Sequence, residues 1–256
     1  MADSGLNPKP IQMTAAKLER QSHAVLDLPS RYKKALKIDR LLQLSTLPSP
    51  IRMLEIGTGS GGIAHYFAQH RSLNCEVTAV DVMDQRLVKD GYQFVTVQDT
   101  RLPFRASSFD VVLSNHVIEH VGDTKAQIIH LNEIHRVLKK TGIGYLAVPN
   151  RWMLIEPHFR LPFLSWLPDV LRTPYLRLMK RGVRYDCNPL TIRKIQELLD
   201  STGFSFMFLS TKAIREMLSI EGTNSGILNL LAFVPSEVLD RLAWINPTLI
   251  YRIEKS

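Results

Sequence analysis

Four glycines lie within the stretch 53–62, which reads MLEIGTGSGG, and their spacing is typical of a turn that holds a nucleotide cofactor. An apolar strand that turns tightly into a helix needs glycine where its backbone approaches a ligand. Gly57, Gly59 and Gly62 have the spacing G-x-G-x-x-G of a dinucleotide site. Gly57, Gly59 and Gly61 have the spacing G-x-G-x-G, which indicates S-adenosylmethionine. The turn by itself leaves both cofactors open.

Three carboxylates at or near predicted strand ends favour S-adenosylmethionine over a dinucleotide. Glu55 lies two residues before Gly57, where it would repel a pyrophosphate but attract a ligand with a sulfonium and an ammonium group. Asp81 follows Gly61 by 20 residues, a spacing at which an acidic side chain meets a ribose in either cofactor. Asp99 ends a third predicted strand, where it could accept a hydrogen bond from an adenine amino group.

A second group of residues, at 116–120, could act as a base or bind a metal. His116, Glu119 and His120 form the pattern H-x-x-E-H, which places both histidines on one face of a helix. With His158 they could hold a divalent cation, but two imidazoles four residues apart do not suffice for a metal site. We therefore predict no metal and activity without added divalent ions. His116 and His158 are the predicted catalytic residues, either of them serving as general base.

The order of strands and helices predicts how these residues are brought together. Predicted strands cover 51–56, 76–81, 92–99, 109–115, 143–150, 204–210 and 248–255, and predicted helices cover 30–44, 62–70, 125–140 and 191–202. Mostly apolar strands that alternate with helices form a parallel sheet covered on both faces, which is a doubly wound α/β fold. Ligands bind beyond the carboxyl ends of such strands. Glu55, Asp81, Asp99 and Asn115 should therefore lie around one crevice.

The chain resembles the class I S-adenosylmethionine-dependent methyltransferases, specifically the type 11 group, over about residues 50–150 and again at 190–211. The resemblance rests on an ordered set of segments: LEIGTGSGG, Asp81, QDTRLPF, SFDVVLSNHVIEHV and EIHRVLKKTGIGYLAVPN. It implies S-adenosylmethionine as the cofactor. It also implies a mostly parallel, seven-stranded sheet with an antiparallel closing strand.

The same resemblance implies a role for each residue that matches the family's motifs. It places Glu55 and the glycines around the methionine part of the cofactor, Asp81 on the ribose hydroxyls, and Asp99 near the adenine. Asn115 would lie beside the sulfonium. The full set of predicted cofactor-binding residues is Glu55, Gly57, Thr58, Gly59, Gly61, Asp81, Val82, Asp99, Thr100, Leu102 and Asn115.

Two insertions interrupt the alternation, and they predict a cap over the acceptor pocket. A single domain, 30–256, follows a tail over 1–29, and the insertions cover 151–188 and 213–246. The first insertion begins at the carboxyl end of a strand, and the second is too apolar to bury its surface against itself. We predict that the two pack together. For the first insertion three interpretations stay open: ordinary packing, a substrate lid, or an element on a membrane surface.

Charge and composition set the remaining expectations. The net charge is +8, and seven arginines and lysines against two acids place +5 of it within 151–184. No dense basic patch or known nucleic-acid module occurs, so no nucleic-acid partner is expected. With two cysteines, no apolar run that could cross a bilayer and no secretory pattern, we expect a cytoplasmic protein. Contact with the inner membrane surface is left open, and the oligomeric state is not predicted.

The expected function is methyl transfer from S-adenosylmethionine, to an oxygen of a small-molecule, glycan-linked or lipid-like acceptor. The alternative from another enzyme class is a nicotinamide-dependent oxidoreductase that uses the same glycine-rich turn. The non-enzymatic alternative is a methyltransferase-like scaffold without turnover, because residues that bind a cofactor do not by themselves establish catalysis.

Overall fold

A computed structural model describes residues 26–221 and 233–256, which are organised around one large sheet. The strands are β1 (Ile51–Ile56), β2 (Cys75–Asp81), β3 (Gln93–Thr96), β4 (Phe109–Asn115), β5 (Leu138–Pro149), β6 (Ile155–Glu156), β7 (Leu161–Pro162), β8 (Phe204–Phe208) and β9 (Thr248–Lys255). The helices are α1 (Leu28–Leu42), α2 (Gly62–Ala68), α3 (Thr124–Val137), α4 (Asp169–Leu178), α5 (Ile192–Ser201), α6 (Ser210–Glu221) and α7 (Ser236–Arg241).

The large sheet has seven strands in the order β3-β2-β1-β4-β5-β9-β8. Strand β9 runs antiparallel to both of its neighbours, and the other six strands are parallel to one another. The predicted fold, with its antiparallel closing strand, is confirmed. The chain order reverses between β1 and β4, so the loops after these two strands diverge and leave a crevice at their carboxyl ends.

Helices cover both faces of this sheet and bury two apolar layers. On one face, Ala35 of α1 and Phe67 of α2 pack against the sheet together with Ala213 of α6. On the other face, Leu131 of α3 and Ile195 of α5 do the same. The crevice between β1 and β4 is therefore held by strands that are buried on both sides, which fixes the positions of the residues at their ends.

Several predicted boundaries are wrong. The strand predicted over 92–99 is β3, Gln93–Thr96, so Asp99 lies beyond its end. The helix predicted over 125–140 ends at Val137, and β5 begins at once with Leu138. Strand pairing accounts for the difference, because Leu138 pairs with Phe109 across an irregular register. The neighbouring Lys139 also bonds Asp110 of β4 at 2.8 Å.

Within the described residues, no helix is long and apolar enough to cross a bilayer.

The first insertion folds into a small substructure that follows the end of β5. It contains the β6–β7 hairpin and α4, around a small core of Phe159, Leu161, Leu164 and Leu176. Its Arg172 does not face solvent as the other basic residues do, because it is buried and bonds the carbonyl groups of Leu167 and Ser165.

The second insertion is described only in part, since residues 222–232, like residues 1–25 of the predicted tail, lie outside the described residues. Its helix α6 packs against α1, and α7 packs against α6. Asn150, the residue before the first insertion, donates hydrogen bonds to the carbonyl groups of Trp244 and Asn246 at the end of the second insertion. A joint cap formed by the two insertions stays a prediction.

Candidate functional site

The turn after β1 takes the conformation that its glycines allow. Gly57, Gly59 and Gly61 have φ values of 74°, 53° and 79°, in the left-handed region that L side chains rarely adopt. A Cβ atom on Gly57 would also lie 2.5 Å from Cγ2 of Val117, so no side chain fits there. The N–H groups of Gly57 and Thr58 donate to the carbonyl of Val80, which ties the turn to the end of β2.

Glu55 lies beneath this turn and is 2% exposed. Thr58 Oγ1 donates to Glu55 Oε2 at 2.7 Å. Burial raises the pKa of Glu55 to about 8, although the bonds from Thr58 and the Ala64 N–H act in the opposite direction. The carboxyl group is therefore mostly neutral at pH 7 until a positive charge lies beside it. A ligand that carries a sulfonium or an ammonium group would supply that charge.

Asp81 joins the turn to the end of the neighbouring strand. Its Oδ2 accepts a hydrogen bond from the Gly59 N–H at 2.9 Å, and its Oδ1 accepts one from the Met83 N–H at 3.3 Å. The carboxylate is only partly buried, and the adjacent Val82 is exposed. The acidic group expected at a ribose is thus fixed beside the glycine turn.

Asn115 ends β4 on the other side of the crevice, and it provides a test of whether this site suits a cofactor. Its Oδ1 is buried and has no hydrogen-bond partner. Leaving such a group unpaired costs about 1–3 kcal/mol, so a bound ligand that presents a donor or a positive charge would be favoured. Together with the neutral Glu55 and the fixed Asp81, this unpaired oxygen fits S-adenosylmethionine.

The residues predicted near the adenine are less closely grouped. Asp99 is exposed, and its Oδ1 accepts a hydrogen bond from the Arg101 N–H at 2.8 Å, so its conformation is set locally. Leu102 is buried in the core on the α3 side of the sheet, and Glu133 accepts a hydrogen bond from its N–H. The roles of Asp99, Thr100 and Leu102 stay predictions.

His116 follows Asn115 directly, with a φ of 58° that turns the chain out of β4. Its Nδ1 lies 3.3 Å from Glu119 Oε1, and its Nε2 lies 3.4 Å from Thr248 Oγ1 on β9. Burial lowers the pKa of His116 below its ordinary value, although Glu119 raises it in part. The imidazole is therefore neutral at pH 7, which is the state that a general base requires.

His158 lies in a different electrostatic environment. Its Nδ1 is 2.7 Å from Glu156 Oε1, and Glu156 is 1% exposed and accepts a second bond from the Phe159 N–H. Burial lowers the pKa of His158, but the bond and charge of Glu156, together with the charges of Glu119 and Asp186, raise it by more, so the net shift is upward. The pKa values of the two predicted catalytic histidines thus shift in opposite directions, and their catalytic roles stay predictions.

Sequence reasoning missed several residues of this region. Cys187 lies 3.8 Å from His120 Nδ1 and 4.0 Å from His158 Nδ1. Lys34 of α1 acts on His116 by its charge, and burial, followed by the charges of Lys37 and Arg31, lowers the pKa of Lys34 to about 7. No sequence signal distinguishes Lys34 from its solvated neighbours on α1. A lone cysteine far along the chain from the histidines gives no signal either.

Comparison with known proteins identifies this arrangement. Residues 54–146 match the sequence model of a family described as a methyltransferase domain, of the type 11 group. Residues 54–146 form a methyltransferase domain of the type 11 group. The match covers the end of β1, the glycine turn, Asp81, Asn115 and His116, so it covers the crevice and leaves out the insertions. S-adenosylmethionine is accordingly the cofactor of the domain, and the predicted family and cofactor are confirmed.

Three similar proteins illustrate the range of the match. A phthiotriol/phenolphthiotriol dimycocerosates methyltransferase of Mycobacterium ulcerans is 26% identical over 184 residues, which is 66% of this chain and 61% of that protein. An uncharacterised protein of Methanocaldococcus jannaschii is 46% identical over 55 residues, which is 22% of this chain and 23% of that protein. The chain thus spans less than two thirds of the length of either curated relative.

The third similar protein is a solved structure, the plantazolicin methyltransferase BpumL in complex with S-adenosylhomocysteine and a substrate analogue. It superposes with a TM-score of 0.54 at 16% identity, over 90% of this chain and 85% of that one. At this identity the likeness supports the fold and not the substrate. The methyltransferase domain in turn favours S-adenosylmethionine over the nicotinamide cofactor that the glycine spacing left open.

Proposed function

We propose that the chain transfers a methyl group from S-adenosylmethionine to a hydroxyl oxygen of an amphiphilic, lipid-like acceptor, with His116 as the general base. The observation that carries this proposal is the position of the partly buried imidazole of His116, which directly follows Asn115 and whose Nδ1 lies 3.3 Å from Glu119 Oε1. A hydroxyl is a weak nucleophile until a base removes its proton, so an acceptor of this kind needs such a group.

The cofactor would be held by the glycine turn, Glu55, Asp81 and Asn115, and it supplies a methyl group on a positive sulfur that is already activated for displacement. What this chain adds is alignment and the exclusion of water. Bound S-adenosylmethionine would give its methyl group to the acceptor oxygen and leave as S-adenosylhomocysteine, while the hydroxyl proton would pass to a base of this chain.

His116 takes the hydroxyl proton at Nε2. Its Nδ1 faces Glu119 at 3.3 Å, so we assign the hydrogen of the neutral ring to Nδ1 and the lone pair to Nε2. Burial raises the pKa of Glu119, but the contact with His116 and the charges of His116 and His120 lower it by more. The resulting carboxylate stabilises the imidazolium that forms when Nε2 accepts the proton.

The surface of the first insertion supports an amphiphilic acceptor. Helix α4 exposes Val170, Leu171 and Leu178, with Val170 79% and Leu178 77% exposed, while it buries Arg172. The same insertion carries five exposed cations: Arg160, Arg177, Lys180, Arg181 and Arg184. Exposed apolar side chains together with cations suit a bilayer with anionic headgroups. The similarity to a methyltransferase named for phthiotriol dimycocerosates is in keeping with a lipid-like acceptor.

The experiment for methyl transfer uses S-adenosylmethionine labelled in its methyl group. The purified protein is incubated with it and with lipid and aqueous fractions of a cell extract, and the labelled product is identified by mass spectrometry. We expect label in an ether of the lipid fraction. Label in an aqueous metabolite or in a nitrogen-methylated product would contradict the acceptor proposed here. No label with a protein that binds the cofactor would favour the scaffold alternative.

Binding to the membrane is tested separately by flotation with vesicles that contain an anionic phospholipid. We expect binding that weakens at high salt and that is lost in the double variant Val170→Asp/Leu178→Asp. The matched control is Ile129→Asp, because Ile129 of α3 is 46% exposed but lies outside the first insertion. Equal binding by the double variant and the control would remove α4 from the contact.

A further inference from the structure

Three side chains of the types that bind soft metal ions meet beside the proposed base. His120 comes from the loop after β4, His158 from the β6–β7 hairpin, and Cys187 from the segment before α5. One potential ligand atom from each of the three lies within 4.8 Å of the others. Three segments separated along the chain thus bring imidazole and thiol groups to a single point.

The distances in this group come close to those of a zinc site. Zinc binds sulfur at about 2.3 Å and imidazole nitrogen at about 2.0–2.1 Å, so tetrahedral ligand atoms lie roughly 3.3–3.6 Å apart. Cys187 Sγ is 3.8 Å from His120 Nδ1 and 4.0 Å from His158 Nδ1. The two cysteine–histidine pairs would have to close by less than about 1 Å, and the two histidine nitrogens, which lie within 4.8 Å of each other, by about 1.5 Å or less.

Buried carboxylates contact both histidines, and one of them lies behind its ring. Glu156 Oε1 lies 2.7 Å from His158 Nδ1, the nitrogen that also faces Cys187. Glu119 Oε1 lies 3.8 Å from His120 Nε2, on the side of the ring opposite to the nitrogen that faces Cys187. Histidines that bind metals usually donate their second N–H to such a carboxylate, which orients the ring. Glu119 is 0% exposed, and neither of its oxygens has a hydrogen bond of good geometry.

We propose that His120, His158 and Cys187 bind one zinc ion, with Glu119 as the carboxylate that orients His120. Imidazole and thiolate ligands favour Zn²⁺ over Mg²⁺, which prefers oxygen. His120 and His158 each supply Nδ1, the ring nitrogen that faces Cys187, and His158 gives up its bond to Glu156 when the metal enters. Cys187 binds as the thiolate, so its proton is released to solvent when the metal enters.

Three protein ligands leave the fourth zinc position for water or for an oxygen of the acceptor, as in catalytic rather than structural zinc sites. The site is independent of the cofactor residues and goes beyond the methyl transfer proposed above. It is compatible with activity in the absence of added divalent ions, because a tightly bound zinc ion would be retained through purification.

The test uses the full-length protein, stripped with a chelator and then titrated with Zn²⁺ and with Co²⁺. We expect one equivalent of zinc and, with cobalt, a thiolate-to-metal charge-transfer band in the near ultraviolet. Cys187→Ser should abolish the band, and Glu119→Gln should weaken zinc binding by about 10–100-fold. The matched control is Cys75→Ser, because Cys75 is the other cysteine and lies in β2. It should leave the band and the affinity unchanged.

Two results would overturn the zinc site. One is wild-type protein that binds no stoichiometric zinc, and the other is a cobalt band that survives Cys187→Ser. Binding of S-adenosylhomocysteine, measured on the same samples, shows that each variant is folded. If Cys187→Ser fails this control, His120→Gln takes its place with the same expected loss of the band. Zinc binding without methyl transfer would refute the proposed function and leave the site intact, so the two failures are distinguishable.

Discussion

The cofactor half and the acceptor half of the crevice are built in different ways. In the cofactor half, Glu55 and Asp81 come from the adjacent parallel strands β1 and β2, and Thr58 and Gly59 come from the turn between β1 and α2. Short hydrogen bonds join Thr58 to Glu55 and Gly59 to Asp81. The acceptor half takes His116 and Glu119 from the end of β4, Thr248 from β9, and Glu156 and His158 from the first insertion. Sheet register fixes the first half, whereas tertiary packing assembles the second.

The two halves also differ in how their charges are compensated. Glu55 is buried, and burial raises its pKa by more than its hydrogen bonds and the charge of Arg31 lower it. In the acceptor half, each buried carboxylate already faces an imidazole, Glu119 at 3.3 Å from His116 and Glu156 at 2.7 Å from His158. The cofactor half therefore needs a cationic ligand, while the acceptor half is arranged to move protons within itself.

The largest expected effect separates catalysis from cofactor binding. With the acceptor identified by the labelling experiment, His116→Ala should lower kcat by about 10²–10⁴-fold, the range for loss of a general base. Steady-state kinetics with both substrates would measure it. His65→Ala is a suitable control, since His65 lies on α2 and bonds Tyr32 and Asp90 instead of facing the acceptor half. A kcat that falls by less than about threefold would remove His116 from the reaction.

A smaller effect is expected at Asp81. A carboxylate that accepts hydrogen bonds from the ribose hydroxyls contributes about 1.5–3 kcal/mol, so Asp81→Ala should weaken S-adenosylmethionine binding by about 10–150-fold in calorimetry. Asp84→Ala provides the matched control, because Asp84 is another carboxylate on the same loop but bonds Arg86. Equal losses in the two variants would mean that general charge, and not the position of Asp81, supports binding.

The smallest effect concerns the pH dependence of cofactor binding. Because the pKa of Glu55 is raised to about 8 in the free protein, a cationic ligand must displace its proton at lower pH. The dissociation constant should fall as pH rises from 6 to 8, by at most tenfold for each pH unit, and should level off above 8. Glu55→Gln should remove the part of this pH dependence that comes from Glu55 and keep the part that comes from the titration of the ligand itself. Identical slopes for the variant and the wild type would show that Glu55 does not ionise on binding.

The contrast between the two halves also explains which parts of the site could be predicted from the sequence. Glycine spacing and the acid at the end of β2 are local features, so Gly57, Gly59 and Asp81 were placed correctly around one turn. The end of α3 was missed because pairing of Leu138 with Phe109 is a contact between strands and leaves no local mark. Cys187 is 67 residues from His120 along the chain, and Lys34 resembles any solvated helix lysine. Their proximity to the site depends on packing.

The most direct test of this division of roles is a calorimetric titration of S-adenosylmethionine into wild-type, Asp81→Ala and His116→Ala proteins under one buffer condition. We expect Asp81→Ala to bind S-adenosylmethionine at least about tenfold more weakly than wild type, and His116→Ala to bind it within about threefold of wild type. Equal losses of affinity in the two variants would contradict it, because the two halves of the crevice would then form one binding unit.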